Sequence, residues 1–309
     1  MMNLQKKIHY FISHPIVKYY SQHPLVLLKN RIIFMSLWFK KILHKDINFG
    51  NITHSKLPID VVLAAIDKDY DVLIYVINSI KKYVMHPIGK IIIISPKSKK
   101  IIDLCNKNKC YFVDENTVLP ITKKNINYKV NNIDRSGWLF QQLLKYAAEK
   151  YCTNQYYLIT EADTVFLRPR IFEKNNKILL PCSHQLCHIP YINSYKKILG
   201  KEILPLVNFT THHTLINKLR LNQLKLEIEQ NCKKPWYKVI IENVDKTEGS
   251  TISDYETYGQ YLYNNYRDEI QLEDWSNISL KRSSFSKINF LLNKLYKNYK
   301  TVSFQSYNK

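Results

Sequence analysis

Glycine is scarce in this sequence, with only 6 glycines among 309 residues. A glycine-rich phosphate loop of the P-loop or GxGxxG type is therefore not available, because such loops need several glycines at fixed spacing. A bound phosphate group would have to be held by a metal ion or by basic side chains. The six cysteines include no CxxC pair, which excludes the usual zinc-ribbon spacing. Because no secretory signal is evident, the thiols are expected to be reduced.

Acidic residues are missing from both ends of the chain. Residues 1–45 and 281–309 contain Lys and Arg but no Asp or Glu, and the net charge is +21. This excess fits nucleic acid, an anionic membrane or an anionic substrate as a partner, although an AT-rich genome would also enrich lysine. The sequence has no secretory signal and no run of about 20 apolar residues. We therefore expect a cytoplasmic protein, either free or peripheral on the inner face of a membrane.

The composition divides the chain into three parts. Residues 1–56 form a basic amphipathic extension, residues 57–280 the main domain, and residues 281–309 a basic tail. In the first part, the apolar stretch Pro24 to Leu43 is interrupted by basic residues such as Lys29 and Arg31. It is either a helix in a membrane interface or a helix packed on the domain with a solvated basic face. The tail is either a second membrane contact or a frayed end.

The main domain begins with alternating strand and helix patterns. Apolar, β-branched runs at 59–66, 89–95 and 111–113 predict strands, and the intervening segments 70–83 and 97–106 have helical periodicity. Such alternation is typical of βαβ units and predicts a parallel sheet. Further along the chain, residues 215–229 are expected to form a helix.

The most informative stretch runs from Tyr156 to Pro169. A buried strand is predicted at 156–160, directly after an amphipathic helix that begins near Gly137, and it ends in Glu161-Ala162-Asp163. Carboxylates at the carboxyl edge of a parallel sheet are suited to a divalent cation that bridges nucleotide phosphates. The simpler alternative is a solvated turn, but apolar residues flank the triplet on both sides.

Four segments, in this order, resemble the pattern of a bacterial and viral family of GT-A-fold glycosyltransferases: RSGWLFQQLLKY, YYLITEADTVFLRP, THHTLINK and SDYETYGQYL. The resemblance spans roughly residues 60–274. It implies a GT-A-like α/β fold, in which helices cover both faces of a mostly parallel sheet and basic helical extensions stand at both ends. It also implies transfer of a sugar from a nucleotide-diphospho-sugar donor to an acceptor hydroxyl on a glycan, a lipid-linked acceptor or a surface polysaccharide.

The same resemblance suggests individual site residues. The triplet corresponds to the family's DxD motif and would hold Mn²⁺ or Mg²⁺, completed by a late histidine; the suggested metal ligands are Glu161, Asp163, His212 and His213. The suggested donor-binding residues are Asp67, Asp69, Asp114, Arg135 and Trp138. For each of Asp67, Asp69 and Asp114 taken alone, a solvated strand end is the favoured explanation. The alternative for Arg135 is a surface ion pair, and the alternative for each histidine is a buried or capping role.

Two interpretations remain for Ser253-Asp254-Tyr255-Glu256. The spacing fits a capping box, with Ser253 as N-cap and Glu256 three residues later. The resemblance instead makes Asp254 or Glu256 the base that deprotonates the acceptor. Two other classes of function stay open: a non-catalytic basic protein that binds nucleic acid, and an inactive relative of the transferases that serves as a membrane scaffold.

Overall fold

The computed structural model describes residues 15–42 and 52–305. Part of the predicted N-terminal extension and the last four residues of the predicted tail therefore lie outside the described residues. The helices are α1 (Pro15–Gln22), α2 (Pro24–Ile42), α3 (Tyr70–Tyr83), α4 (Lys99–Lys107), α5 (Ser136–Ala147), α6 (Ile189–Leu199), α7 (Lys218–Cys232), α8 (Trp236–Glu242), α9 (Asp254–Asn265) and α10 (Ile288–Leu295). The strands are β1 (Ile59–Ala64), β2 (Ile88–Ser95), β3 (Tyr111–Asp114), β4 (Lys129–Val130), β5 (Ile133–Asp134), β6 (Tyr156–Glu161), β7 (Thr164–Phe166), β8 (Glu173–Lys174), β9 (Lys177–Cys182), β10 (His213–Asn217), β11 (Ile270–Asp274), β12 (Asn277–Lys281) and β13 (Thr301–Gln305).

A five-stranded sheet forms the centre of the domain, in the order β10-β6-β1-β2-β3. The pairs β1–β2, β2–β3 and β1–β6 are parallel, and only β10 runs antiparallel, along β6. All six residues of β1 are buried, so both faces of the sheet are covered, as continuous apolar strands require. The predicted α/β class and its parallel β1-α3-β2-α4-β3 half are confirmed.

The prediction of a helix from residue 215 is wrong at its start. Leu215 and Ile216 belong to strand β10, where Leu215 lies opposite Leu158 of β6. Both side chains are fully buried in the core. The helix starts only at Lys218, where the Asn217 side chain accepts a hydrogen bond from the Leu219 amide, as an N-cap does.

The described residues also form two three-stranded sheets, besides the antiparallel pair β4–β5. One has the order β11-β9-β8 and the other β12-β13-β7. Strand β13 pairs in parallel with β12 and antiparallel with β7, and Val302 and Phe304 are fully buried. Residues 301–305, which the composition assigned to a basic tail, thus pack inside the domain next to the strand that follows the acidic triplet.

Helices α1 and α2 are attached to the domain by their inner sides. The Tyr20 hydroxyl donates a hydrogen bond to the Pro205 carbonyl at 2.6 Å, and the Asn30 side-chain amide donates to the Leu206 carbonyl at 2.8 Å. Phe34 and Leu37 join the main core. Within residues 15–42 and 52–305, no helix combines the length and the apolar character needed to cross a bilayer.

A close contact between α9 and the chain before β10 yields a stability prediction. A Cβ atom added at Gly259 would stand 2.4 Å from Cβ and Cγ of Phe209, a buried side chain that cannot turn away. Gly259→Ala should therefore lower the unfolding free energy by about 1–3 kcal/mol, despite the better helix propensity of alanine. Urea unfolding measures this change.

The matched control is Gly249→Ala, because a Cβ at residue 249 meets no atom within 4 Å. Its stability should stay within about 0.5 kcal/mol of the wild type. Equal effects of the two substitutions would contradict this account of the α9 packing.

Candidate active site

The acidic triplet lies at the point where the strand order of the sheet changes direction. From β1 the chain builds β2 and β3 on one side, and then places β6 on the other side of β1. Ala64, the last residue of β1, is paired with Glu161, the last residue of β6. Ligands of open α/β sheets bind in the crevice at such a switch point, beyond the carboxyl ends of the strands.

A buried lysine from α5 lies under this edge. Lys145 Nζ is 2.7 Å from Glu161 Oε1 and 3.0 Å from Asp254 Oδ2, and the lysine side chain is completely buried. Burial alone would lower the pKa of Lys145, but the Asp254 and Glu161 charges outweigh it and raise the pKa. A permanent cation therefore ties β6, α5 and the start of α9 together.

The two carboxylates around Lys145 differ in their exposure. The Glu161 side chain is 23% exposed, whereas that of Asp254 is 1% exposed. Burial favours the neutral form of Glu161, yet the Lys145 charge and hydrogen bond lower its pKa overall. Burial raises the pKa of Asp254 to about 6, with Lys145 opposing the shift. Glu161 is thus the carboxylate of the pair that a ligand can reach.

Asp163 carries negative charge that is less well compensated. Burial raises its pKa to about 7, and the nearby charges of Glu161 and Asp69 add to the shift. Its Oδ1 accepts a long hydrogen bond, 3.4 Å, from the Thr164 hydroxyl. Asp69 follows β1 and is paired with Arg282 at 2.9 Å. Carboxylates from both sides of the switch point therefore act on the pKa of Asp163.

The two histidines occupy different environments. His212 Nδ1 lies 2.5 Å from the Ser303 hydroxyl, and its Nε2 lies 3.2 Å from the Gln305 amide. Burial lowers the pKa of His212 to about 4, so the ring is neutral at physiological pH. His213 points into another buried cluster, where Arg170 donates to its Nε2 at 2.6 Å. Burial and the Arg170 charge lower the pKa of His213.

These positions bear on whether the residues fit a metal ion. In residues 15–42 and 52–305, no three His, Cys, Asp or Glu side chains converge as a metal cage. Mg²⁺ and Mn²⁺ in nucleotide sites, however, are commonly held by one or two carboxylates together with substrate phosphates. Glu161 and Asp163 fit that arrangement, because their crowded negative charge is what a divalent cation would neutralise. His213 does not join them, since Arg170 faces its Nε2.

The capping prediction at the start of α9 is confirmed for Ser253, whose hydroxyl accepts a hydrogen bond from the Glu256 amide at 3.3 Å. The Glu256 side chain does not reach back to residue 253. Its Oε2 accepts from the Phe209 amide at 2.7 Å and its Oε1 from Gln260 at 2.9 Å. Burial raises the pKa of Glu256 to about 7. Glu256 thus fixes the chain that leads into β10.

The remaining candidates lie around this centre. Arg135 stacks on Trp138 at 4.7 Å and donates from Nε to the Gly249 carbonyl at 2.8 Å. Asp67 is exposed beyond β1. Asp114 ends β3, where it accepts a hydrogen bond from the Asn116 amide at 3.0 Å. Asp67 and Asp114 therefore share the carboxyl edge of the sheet, whereas Arg135 and Trp138 lie at the start of α5.

Sequence reasoning missed Lys145, although it stands inside the apolar helix that was predicted. The available signal was a lone lysine between Leu144 and Tyr146 in a helix with buried flanks. Its partners are 16 and 109 residues away, so the pairing itself was not visible. Arg282, the partner of Asp69, was assigned to the tail for the same reason.

Comparison with known proteins gives a family and a set of distant structures. A family model described as a family of unknown function, DUF6492, matches residues 58–297. No curated protein matches the sequence. The solved structure of the galactosyltransferase LgtC with donor and acceptor sugar analogues is 11% identical; the match covers 81% of this chain and 88% of LgtC, with a TM-score of 0.44. Mouse xyloside xylosyltransferase 1 is 9% identical over 82% of this chain and 99% of its own, also with a TM-score of 0.44.

The Lys145 cluster predicts a pH-dependent loss of stability. Lys145→Met leaves Glu161 and Asp254 without their cation, so the unfolding free energy should fall by about 3–5 kcal/mol near neutral pH. Without the ammonium group, burial and mutual repulsion raise both folded-state pKa values above their unfolded values. A carboxyl group with a raised folded-state pKa stabilises the fold at low pH. This contribution is lost as the pH rises through the folded-state pKa. The deficit should therefore be larger at about pH 8 than at about pH 5, as measured by urea unfolding.

Lys225→Met is the matched control, because Lys225 is also buried but pairs with Glu149 at 2.6 Å, away from the triplet. A second variant, Lys145→Met with Asp254→Asn, should recover part of the lost stability. An equal deficit at both pH values, or no recovery in the double variant, would contradict the charge assignment.

Proposed function

The chain belongs to the family of unknown function DUF6492, and we propose that it is a metal-dependent glycosyltransferase. It transfers a sugar from a nucleotide-diphospho-sugar donor to an acceptor hydroxyl. The observation that carries the proposal is the position of Glu161 at the β1/β6 switch point, with Asp163 two residues later and Asp69 close enough to raise the pKa of Asp163. The ordered resemblance of four sequence segments to GT-A transferases supports the same conclusion.

In this proposal the donor diphosphate lies beyond the end of β6. Glu161 and Asp163 hold a Mn²⁺ or Mg²⁺ ion, which, when bound, neutralises charge that develops on the departing diphosphate. Lys145 keeps Glu161 ionised in a partly buried position, so that its exposed face is available to the ion. Asp67 and Asp69, which follow β1, and Asp114, which ends β3, are assigned to the nucleoside side.

Arg135 and Trp138, at the start of α5, stay assigned to the donor, as the resemblance suggests. At the start of α9, the resemblance offers Asp254 or Glu256 as the base, but the contacts of both side chains favour structural roles. Asp254 is linked to Glu161 through Lys145, so we assign it as a positioning residue that holds the ammonium group against Glu161. Both Glu256 oxygens accept hydrogen bonds from the protein, and Glu256 is therefore assigned to holding the Phe209 segment. His212, whose backbone carbonyl accepts a hydrogen bond from the Glu161 amide at 3.0 Å, is assigned to complete the metal site, which requires Gln305 to release the His212 Nε2 atom.

The non-catalytic alternatives have less support. A nucleic-acid-binding protein would account for the charge of +21, but it would not account for a cluster of carboxylates at the switch point, since phosphate backbones are repelled by such a site. A scaffold related to the transferases would fold in the same way but would bind no donor.

The proposal predicts donor binding that depends on Asp163. A panel of nucleotide diphosphates and their sugars, each with Mn²⁺, should contain a member that raises the melting temperature, because a ligand that binds the folded state stabilises it. Asp163→Asn keeps the shape but removes a charge, and should abolish this rise. Donor hydrolysis or transfer should fall by about 100-fold in the variant, typical of losing one electrostatic contact in an active site.

Asp103→Asn, at an exposed acid on α4, is the matched control and should behave like the wild type. Unchanged donor hydrolysis in Asp163→Asn would contradict the assignment of Asp163 to the metal site. A folded wild-type protein that binds no donor in the panel would instead favour the scaffold.

A further inference from the structure

Helix α2 presents large apolar side chains on two opposite faces. The inner face carries Val26, Asn30, Phe34 and Leu37, all buried against the domain. The outer face carries exposed side chains at three- and four-residue spacing: Leu25, Leu28, Ile32, Met35 and Phe39. Each of these is between 50% and 71% exposed. With 1.5 Å of rise per residue, the outer stripe is about 21 Å long.

This stripe is unusual for a surface. Soluble proteins seldom expose contiguous apolar patches of this size unless the patch binds a partner. The sequence left two alternatives for α2, a membrane-interface helix and a packed helix with a solvated basic face. The structure has a packed helix whose exposed side carries an apolar stripe, and Lys29 and Arg31 flank that stripe.

The charges around the stripe indicate the kind of partner. Lys29 and Arg31 are exposed on either side of it, and Trp38 is exposed near its end. The first 45 residues contain eight Lys or Arg and no Asp or Glu. An apolar stripe with flanking cations and an aromatic residue matches the boundary between anionic headgroups and acyl chains.

We propose that the outer face of α2 docks this protein on an anionic lipid bilayer, with Leu28, Ile32 and Met35 inserted below the headgroups. The inner face holds the helix at a fixed position on the domain, so docking orients the whole protein. A soluble acidic partner would satisfy the cations but would leave the apolar stripe unexplained.

The docking helix is connected to the candidate active site by a short series of contacts. The Phe34 ring lies 4.8 Å from the His184 ring, and His184 is 2.5 Å from Asp274. The next residue, Trp275, packs against His212 at 4.7 Å. If the protein transfers a sugar, as proposed above, an acceptor carried by the membrane would be near the site. Docking itself does not depend on that proposal.

Co-sedimentation of the full-length protein with vesicles tests the docking surface. The vesicles are phosphatidylcholine alone, or phosphatidylcholine with about a third phosphatidylglycerol. The wild type should bind the anionic vesicles, and Ile32→Asp with Met35→Asp should weaken that binding by at least about tenfold, because two charges would enter the apolar layer. Lys29→Glu with Arg31→Glu should weaken binding to anionic vesicles and reduce its dependence on salt.

Leu219→Asp with Leu226→Asp is the matched control, since both leucines are similarly exposed, at 53% and 54%, but lie on α7. This variant should bind as the wild type does, and circular dichroism should report the same fold for all variants. A wild type that ignores anionic vesicles overturns the proposal, as does equal binding by the α2 and α7 variants. A wild-type dimer that the α2 variant dissociates, without vesicle binding, would overturn it in favour of a second copy.

Because the readout is vesicle binding, it separates this inference from the catalytic one. Donor binding without vesicle binding would contradict only the proposed docking surface. Vesicle binding without donor binding would support the docking surface and contradict only the proposed transferase activity.

Discussion

The ammonium group of Lys145 is the interaction on which the arrangement of the site depends. It is buried between Glu161 at the end of β6 and Asp254 at the start of α9, so one cation joins three elements. Removing a charged ammonium group from water has a large desolvation free energy. If Lys145 were absent, the unpaired Glu161 and Asp254 carboxylates would strongly destabilise the fold. The packing of α5 and α9 on the sheet is therefore coupled to the ionisation of Glu161, the carboxylate at the switch point.

A second buried ion cluster fixes the strands behind the site. Arg170 and Lys300, both fully buried, pair with Glu273 at 2.9 and 2.7 Å. Since Lys300 directly precedes β13, this cluster anchors the C-terminal strand whose Ser303 contacts His212. Arg170 also faces His213, the first residue of β10, whereas His212 precedes the strand and contacts Ser303 and Gln305.

Local patterns in the sequence were sufficient for much of the fold but not for the ion pairs. Strands β1, β2 and β6 and helix α3 could be predicted because continuous apolar runs and three-to-four-residue spacing are local signals. The start of β10 was missed because Leu215 and Ile216 fit a helix equally well, and only pairing with β6 decides between them. Asp163 stood out by its position after a strand, whereas Lys145 and Arg282 acquire their meaning from partners far away in the chain.

Two features of the fold are costly for the isolated protein, and both would be relieved by binding. At the β1/β6 edge, burial and the nearby charges of Glu161 and Asp69 raise the pKa of Asp163 to about 7, which a cation would reverse. On α2, exposed apolar side chains remain in water although the opposite face is well packed. Natural sequences depart from local consistency mainly where function requires it. The contacts from Phe34 through His184 to Trp275 link the two features, so a protein oriented by α2 would hold its acidic crevice at a fixed distance from the surface that α2 contacts.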